Sequence, residues 1–206
     1  MMHHERELFN TISHLIASLL AFLGIAVLLS LVSSKNMQAI LAIGIYGVTT
    51  IALYVVSTIY HGCRGKNKKI LQRLDHILIY LKIAGNYTPF AILALRSFGG
   101  NIVLSIMWVL AIIGIIQEII IGQKTRRLSM AIYVVMSASV AIVLKELAHI
   151  LPLTGFLLII GTFLFYAIGL YFYINDERIK HGHGIWHLFV VGGSTCQYLC
   201  LLIYII

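Results

Sequence analysis

Two histidines near the C-terminal end of the sequence have the spacing of a helical metal site. His183 and His187 are four residues apart in the run HGIWH. Side chains four residues apart lie on one face of an α-helix, about one turn apart. Two imidazoles in this arrangement can bind one metal ion, as in zinc helices with histidines at i and i+4. The same spacing also arises by chance and in hydrated loops, so the pair alone does not establish a site.

Polar residues in two other apolar segments are further candidates. His61 ends a long apolar run, and Ser57 lies one turn earlier on the same face. Asp75 begins another apolar run. Polar groups are costly in lipid, so each is a candidate for function. The alternatives are a histidine whose ring reaches the headgroups and an acid that interacts favourably with a helix N-terminus.

A third polar group lies at the start of the first apolar segment. Glu7, Asn10 and His14 are separated by three and four residues, which gives them one helix face. Around a metal, such groups orient the ligands through hydrogen bonds. The alternative is that they cap the helix or form hydrogen bonds between helices.

The composition predicts that membrane-spanning helices position these residues. Of the 206 residues, 60% are of the types AVILMFWYC and 11% are charged, whereas soluble domains contain about 25% charged residues. The mean hydropathy is +0.97. These values exclude a soluble globular enzyme, a disordered chain and a nucleic-acid-binding module.

Seven stretches approach or exceed the roughly 20 apolar residues that cross the hydrocarbon core. They are too long and too uniformly apolar for the strands of a membrane β-barrel. We therefore predict an all-α, seven-transmembrane-helix bundle that forms one domain over residues 1–206. No removable signal peptide is expected, because no small-residue cleavage site follows the first apolar run. The predicted spans are Ser13–Leu31, Ala39–Gly62, Leu74–Leu95, Ile102–Ile121, Leu128–Leu144, Leu153–Tyr173 and Ile185–Ile206.

The basic residues predict the orientation of the bundle, since cytoplasmic loops are enriched in Lys and Arg. Most of the 15 basic residues fall on one side of a seven-span arrangement. We therefore expect a cytoplasmic N-terminus and an external C-terminus. The two sets are Arg6, Arg64, Lys66, Lys68, Lys69, Arg73, Lys124, Arg126, Arg127, Arg178 and Lys180 on that side, and Lys35, Arg96 and Lys145 on the other.

This topology brings the polar candidates to one depth. Span two ends on the cytoplasmic side with His61, and span three begins there with Asp75. Span seven begins on the same side with His183 and His187. Three neutral imidazoles that leave a fourth position open form a catalytic type of zinc site. A water bound to zinc would have a lowered pKa and would attack an ester or amide carbonyl. Asp75 would orient or deprotonate that water, and Ser57 would hydrogen-bond the water or an oxyanion.

Other residues favour a different function, a transporter or channel that changes membrane permeability. Lys82 lies about two turns inside span three. Two alternatives are open for it: it lines a polar cavity, or it pairs with Glu118 of span four. Pro89 is expected to bend span three, because proline removes a backbone hydrogen bond. His76 is expected to face away from Asp75.

The sequence resembles the bacterial hemolysin III family, within the progestin and adipoQ receptor group, which is related to the alkaline ceramidases. The resemblance covers the whole chain, and four motifs occur in the expected order. Gly184 and Gln197 depart from the family pattern, which often has an acid and a histidine there. The motifs are ExxNxxSH from Glu7, STIYH from Ser57, RLDH from Arg73 with IAGNYTP from Ile83, and HGIWH from His183 with Gly193-Ser194.

The resemblance implies a zinc ion near the cytoplasmic face, held by His61, His183 and His187, with water or Asp75 completing its coordination and Ser57 beside it. It also implies hydrolysis of a lipid amide such as a ceramide, a lipid or fatty acid as ligand, membrane lipids as partners, and location in a bacterial inner membrane. Two alternatives stay open. One is a receptor or regulator in which zinc is structural, and the other is the transporter or channel, of which red-cell lysis is a special case.

Overall fold

The structure, a computed structural model, describes residues 2–122 and 126–206. Lys124, counted above among the basic residues, lies outside the described residues. Side chains are described from residue 6 onward, apart from residues 123–126. The α-helices are α1 (Met2–Leu31), α2 (Met37–Gly62), α3 (Lys68–Pro89), α4 (Gly100–Ile120), α5 (Arg126–Ala138), α6 (Leu144–Ile150), α7 (Leu153–Ile174) and α8 (Gly182–Cys200).

Seven helical stretches of the described chain are long and apolar enough to cross a membrane, which confirms the predicted fold class. The fifth stretch combines α5, a 3-10 segment at Ser139–Val143, and α6. It is longer than predicted, because helical structure continues beyond Leu144 to Ile150. His149 is an exposed residue of this added helical part, α6.

The connections define two ends of the bundle. We call "the basic end" the one that carries the start of α1, the C-terminal end of α4 and the connections at 63–67 and 175–181. The other is "the opposite end", with the connections at 32–36, 95–99 and 151–152. The polar candidates of α1, α2, α3 and α8 all lie towards the basic end. Which end faces the cytoplasm stays a prediction.

Apolar side chains fill the opposite half of the bundle and also cover its outside. Leu28, Ile43 and Met107 are completely buried in one apolar core cluster. Ile120, in contrast, is 75% exposed, and large exposed apolar side chains of this kind occur on most of the helices. This distribution suits a protein whose surrounding solvent is lipid, where burial of apolar surface does not drive helix association.

Pro89 alters α3 as its chemistry predicts. It is the last residue of α3, and a π-helical segment follows at Phe90–Ala94. Proline has no N–H to donate, and a local change to wider hydrogen bonding accommodates this loss. The wider pattern is seen where Leu95 N–H donates to the carbonyl of Phe90, five residues earlier, at 2.9 Å.

Candidate metal centre

Three histidines from two helices converge at the basic end. His61 lies in the last turn of α2, and His183 and His187 lie in the first two turns of α8. One potential ligand nitrogen of each lies within 4.8 Å of the others. The three ring centroids are separated by 5.1, 5.0 and 4.8 Å. The residues singled out in the sequence therefore meet in space, while their role as ligands stays a prediction.

Each of these histidines has an oxygen partner at its Nδ1 atom. A carboxylate can only accept a hydrogen bond, so a ring nitrogen that binds one must carry the proton. Metal-ligating histidines are held in this way, with the outer nitrogen donating to a carboxylate, a carbonyl or water. The pairs are His61 with Glu7 Oε2 at 2.7 Å, His187 with Ser13 Oγ at 3.2 Å, and His183 with Asp176 Oδ2 at 3.4 Å.

The other ring nitrogen, Nε2, differs from Nδ1 in all three histidines. Nε2 of His61, His183 and His187 is buried in each case and has no hydrogen-bond partner among the described residues. A buried polar atom without a partner costs roughly 1–3 kcal/mol. If Nδ1 carries the proton, Nε2 presents its lone pair, which is the form that binds a metal. Three such lone pairs in one small space fit a metal ion well.

Two further predicted residues, Asp75 and Ser57, lie beside this centre. Both side chains are almost completely buried, and Asp75 Oδ1 and Ser57 Oγ have no hydrogen-bond partner within the described ranges. Both side chains line one and the same cavity. Neither belongs to the group of three mutually close ligand atoms.

Two cavities meet at Asp75. A polar cavity of about 380 Å³ at the basic end is lined by His61, His183 and several charged side chains. A mainly apolar cavity of about 350 Å³ extends deeper into the bundle and is also lined by Ser57. Asp75, Tyr133 and Tyr173 line both. The centre thus adjoins space for both the polar and the apolar part of a ligand.

Comparison with known proteins identifies the family of this chain. The sequence model of the family described as "Haemolysin-III related" matches residues 2–198. The chain belongs to the haemolysin III family. This family member is 35% identical to Hemolysin-3 of Bacillus cereus, over 98% of its own length and 93% of that protein. It is 36% identical to the Hemolysin-3 homolog of Bacillus subtilis, over 97% and 94%.

A more distant relative links this haemolysin III family member to animal proteins. It is 28% identical to the human monocyte to macrophage differentiation factor, over 76% of its own length and 67% of that protein. The resemblance inferred from the four motifs is therefore confirmed. None of these names states a metal or a reaction.

In this family member, helix α1 supplies most of the polar groups around the histidines. Asn10 Nδ2 lies 3.4 Å from His61 Nδ1. The His14 ring stacks on the His187 ring, with centroids 3.6 Å apart and planes 14° apart. With Glu7, the whole predicted polar face of α1 therefore contacts the histidines. Ser13, on the same helix, contacts His187 Nδ1 at 3.2 Å.

Asp176 was not predicted as part of the site. It lies in the turn between α7 and α8, where residues have no helical spacing that could reveal a shared face. The turn ends at His181, whose φ of 59° is the only positive value at a non-glycine residue in the described part of the chain. Such a conformation costs of order 1–3 kcal/mol. The surrounding structure therefore holds this turn in place, with Asp176 against the start of α8.

Gly184 departs from the expected family pattern because α1 approaches α8 closely there. A Cβ at this position would meet the Phe9 ring, and would lie 2.8 Å from Asn10 Oδ1. The missing side chain allows α1 to come near enough for Ser13 and His14 to touch His187. A larger residue at this position would have to move the Phe9 ring and the Asn10 side chain.

The expected pair of Lys82 and Glu118 is wrong. Lys82 Nζ instead donates to Asn86 Oδ1 at 3.2 Å. Glu118 lies 3.3 Å from Nδ1 of His76 and accepts a hydrogen bond from Ser129. The reason is rotation about α3, since His76 faces α4 whereas Lys82 lines the apolar cavity. Lys82 and Glu118 therefore do not form the ion pair on which the transporter hypothesis partly rested.

Replacing Glu7 tests the hydrogen bond to His61. We expect Glu7→Gln to weaken metal binding by 10- to 100-fold, the usual effect of losing such an outer partner. The neutral amide keeps the shape but holds the His61 Nδ1–H less strongly. Isothermal titration of the metal-free protein with zinc would measure the change.

Glu146→Gln is the matched control, because Glu146 lies on α6 at the opposite end of the bundle. It should bind zinc as the wild type does. Equal zinc affinity in Glu7→Gln and the wild type would remove Glu7 from the site.

Proposed function

We propose that this chain is a zinc-dependent hydrolase of a lipid amide or ester, in a bacterial cell membrane with its basic end towards the cytoplasm. The observation that carries the proposal is the set of three free Nε2 atoms beside the junction of two cavities. Structural zinc sites have four protein ligands, whereas catalytic sites have three and keep a position open. When bound, zinc would supply Lewis acidity that activates water and polarises a carbonyl group.

The chain's own residues have separate roles in this proposal. His61, His183 and His187 are the ligands, and imidazole suits zinc among several metals. Asp75 acts as the general base that takes the proton of the attacking water, a contribution of typically 10²- to 10⁴-fold. Ser57 donates a hydrogen bond to the carbonyl oxygen as it becomes negative. Burial of both groups keeps bulk water from competing for these hydrogen bonds.

The two cavities support an amphiphilic substrate taken from the membrane. Charged side chains in the polar cavity suit a headgroup, and apolar side chains of α5 and α7 suit an acyl chain. A bond between headgroup and acyl chain would then lie near Asp75, which lines both spaces. Lipid amides and esters have their cleavable carbonyl at this point.

The main alternative is a receptor or regulator in which zinc only stabilises the fold. His187 is completely buried, and removal of a structural metal would then unfold the protein. Under the hydrolase proposal, the chelated protein instead keeps its helices and loses only turnover. Circular dichroism of chelated protein separates the two.

Lipid hydrolysis in nanodiscs tests the proposed function. The purified chain, in neutral phosphatidylcholine, receives a panel of N-acyl sphingoid bases and acyl esters with a labelled acyl chain. We expect fatty-acid release that needs zinc, is lost on chelation and is absent in His187→Ala. A folded, zinc-loaded protein that releases no fatty acid from any member of the panel would contradict the proposal.

A further inference from the structure

A lysine lies in the wall of the apolar cavity. Lys82 is only 4% exposed and lies on α3, seven residues beyond Asp75. Seven residues of α-helix span ~10 Å, so the lysine is well separated from the metal centre. Apolar residues such as Leu53, Ile79 and Val134 form most of the surrounding wall. The volume of about 350 Å³ is within the usual range of small-molecule sites, roughly 300–1,000 Å³.

Lys82 has hydrogen-bond acceptors but no acidic partner. Its Nζ donates to Asn86 Oδ1 at 3.2 Å and to Thr50 Oγ1 at 3.5 Å. It also lies 5.5 Å from the centre of the Tyr54 ring. Among the described residues, no carboxylate is within the 4.0 Å that defines an ion pair. These bonds use two of the three ammonium donors, so one is left to bind a ligand.

A cation in this environment favours an anionic ligand. Removing an ammonium group from water costs several kcal/mol unless an opposite charge compensates it. Ionisable residues inside membrane bundles therefore commonly mark binding sites. The oxygens and the aromatic face that contact Lys82 are uncharged. The acid that lines this cavity, Asp75, lies ~10 Å away along α3.

We propose that Lys82 binds the carboxylate of a free fatty acid whose chain occupies the apolar cavity. One carboxylate balances one ammonium charge, and a single acyl chain needs only the narrow space between α3, α5 and α7. A phospholipid would bring a larger headgroup and a second chain. The acyl chain would lie against side chains such as Val134, Phe163 and Leu170.

This site shares its cavity with the proposed function but requires neither metal nor hydrolysis. A fatty acid is also the product of cleaving a lipid amide or ester. The lysine would then retain the product after cleavage, which would make fatty acids competitive inhibitors of hydrolysis.

Palmitate binding to chelated, metal-free protein in phosphatidylcholine nanodiscs tests the inference. We expect Lys82→Met to weaken binding of labelled palmitate roughly 10- to 100-fold, the range for losing a charged hydrogen bond. Lys82→Arg keeps the charge and should bind within about threefold of the wild type. Hexadecanol, which has the same chain without a charge, should not displace palmitate. Lys82→Met should fold, because it removes a buried uncompensated charge. If it does not fold, the experiment uses Lys82→Gln in its place.

Each result has a distinct meaning. Equal palmitate binding by the wild type and Lys82→Met would overturn the inference. Binding that disappears on chelation would also overturn it, because the carboxylate would then lie on the metal. Displacement of labelled palmitate by phosphatidylglycerol at much lower concentrations than by unlabelled palmitate would assign the cavity to a phospholipid instead. Lys82-dependent binding in a protein that hydrolyses no lipid would support this inference and contradict the proposed function.

Discussion

Asp75→Asn is expected to retain the bound metal and to lose at least about 100-fold in lipid hydrolysis. Asparagine keeps the shape of the side chain but cannot accept a proton from water, and general bases contribute typically 10²- to 10⁴-fold. Asp75 is outside the group of three mutually close ligand atoms, so its removal should leave metal content unchanged. Turnover and metal content are measured on the same preparation.

Asp176→Asn is the matched control for this prediction. Asp176 contacts His183 Nδ1, so its replacement should weaken metal binding, and excess zinc should restore turnover. Excess zinc should not restore turnover in Asp75→Asn. Wild-type turnover in Asp75→Asn would contradict the assigned role of Asp75, even if the metal centre itself is correct.

His187→Ala is expected to lose most of the bound metal and to unfold at a lower temperature than the wild type. It removes one of three ligands and leaves His14 without its stacking partner. A ligand at roughly 100 times its Kd stabilises the folded state by about 2.7 kcal/mol, and the variant forgoes this contribution. Elemental analysis and thermal unfolding of the same sample measure both effects.

His149→Ala serves as the control, because His149 is exposed on α6 at the opposite end. It should keep its metal and its unfolding temperature. Wild-type metal content in His187→Ala would show that the ion is bound elsewhere in the chain.

Much of the fold and part of the site follow from simple regularities. A long apolar run in lipid must satisfy its backbone internally, so length and composition identify the spans. The four-residue spacing of His183 and His187 predicts a shared helix face. The distribution of Lys and Arg then predicts that His61 lies at the same end. Each step uses local spacing or a count along the chain.

The parts that sequence reasoning missed depend on rotation about a helix or on irregular backbone. Asp176 reaches His183 from a turn, where no periodicity exists. Ser13 contacts His187 because of the close approach of α1 at Gly184, which depends on packing. Lys82 and Glu118 were paired by depth alone, but depth does not determine which way a side chain faces. The fifth span extends to Ile150 because a 3-10 segment joins two helices.

Metal content of the wild-type protein tests the central claim most directly. Protein purified in detergent without chelators is analysed for elements, then again after chelation and after zinc is added back. We predict about one zinc ion per chain, removed by the chelator and restored by added zinc. A folded, monodisperse protein that contains no metal, even after zinc is added, would contradict the assignment of His61, His183 and His187 as a metal centre.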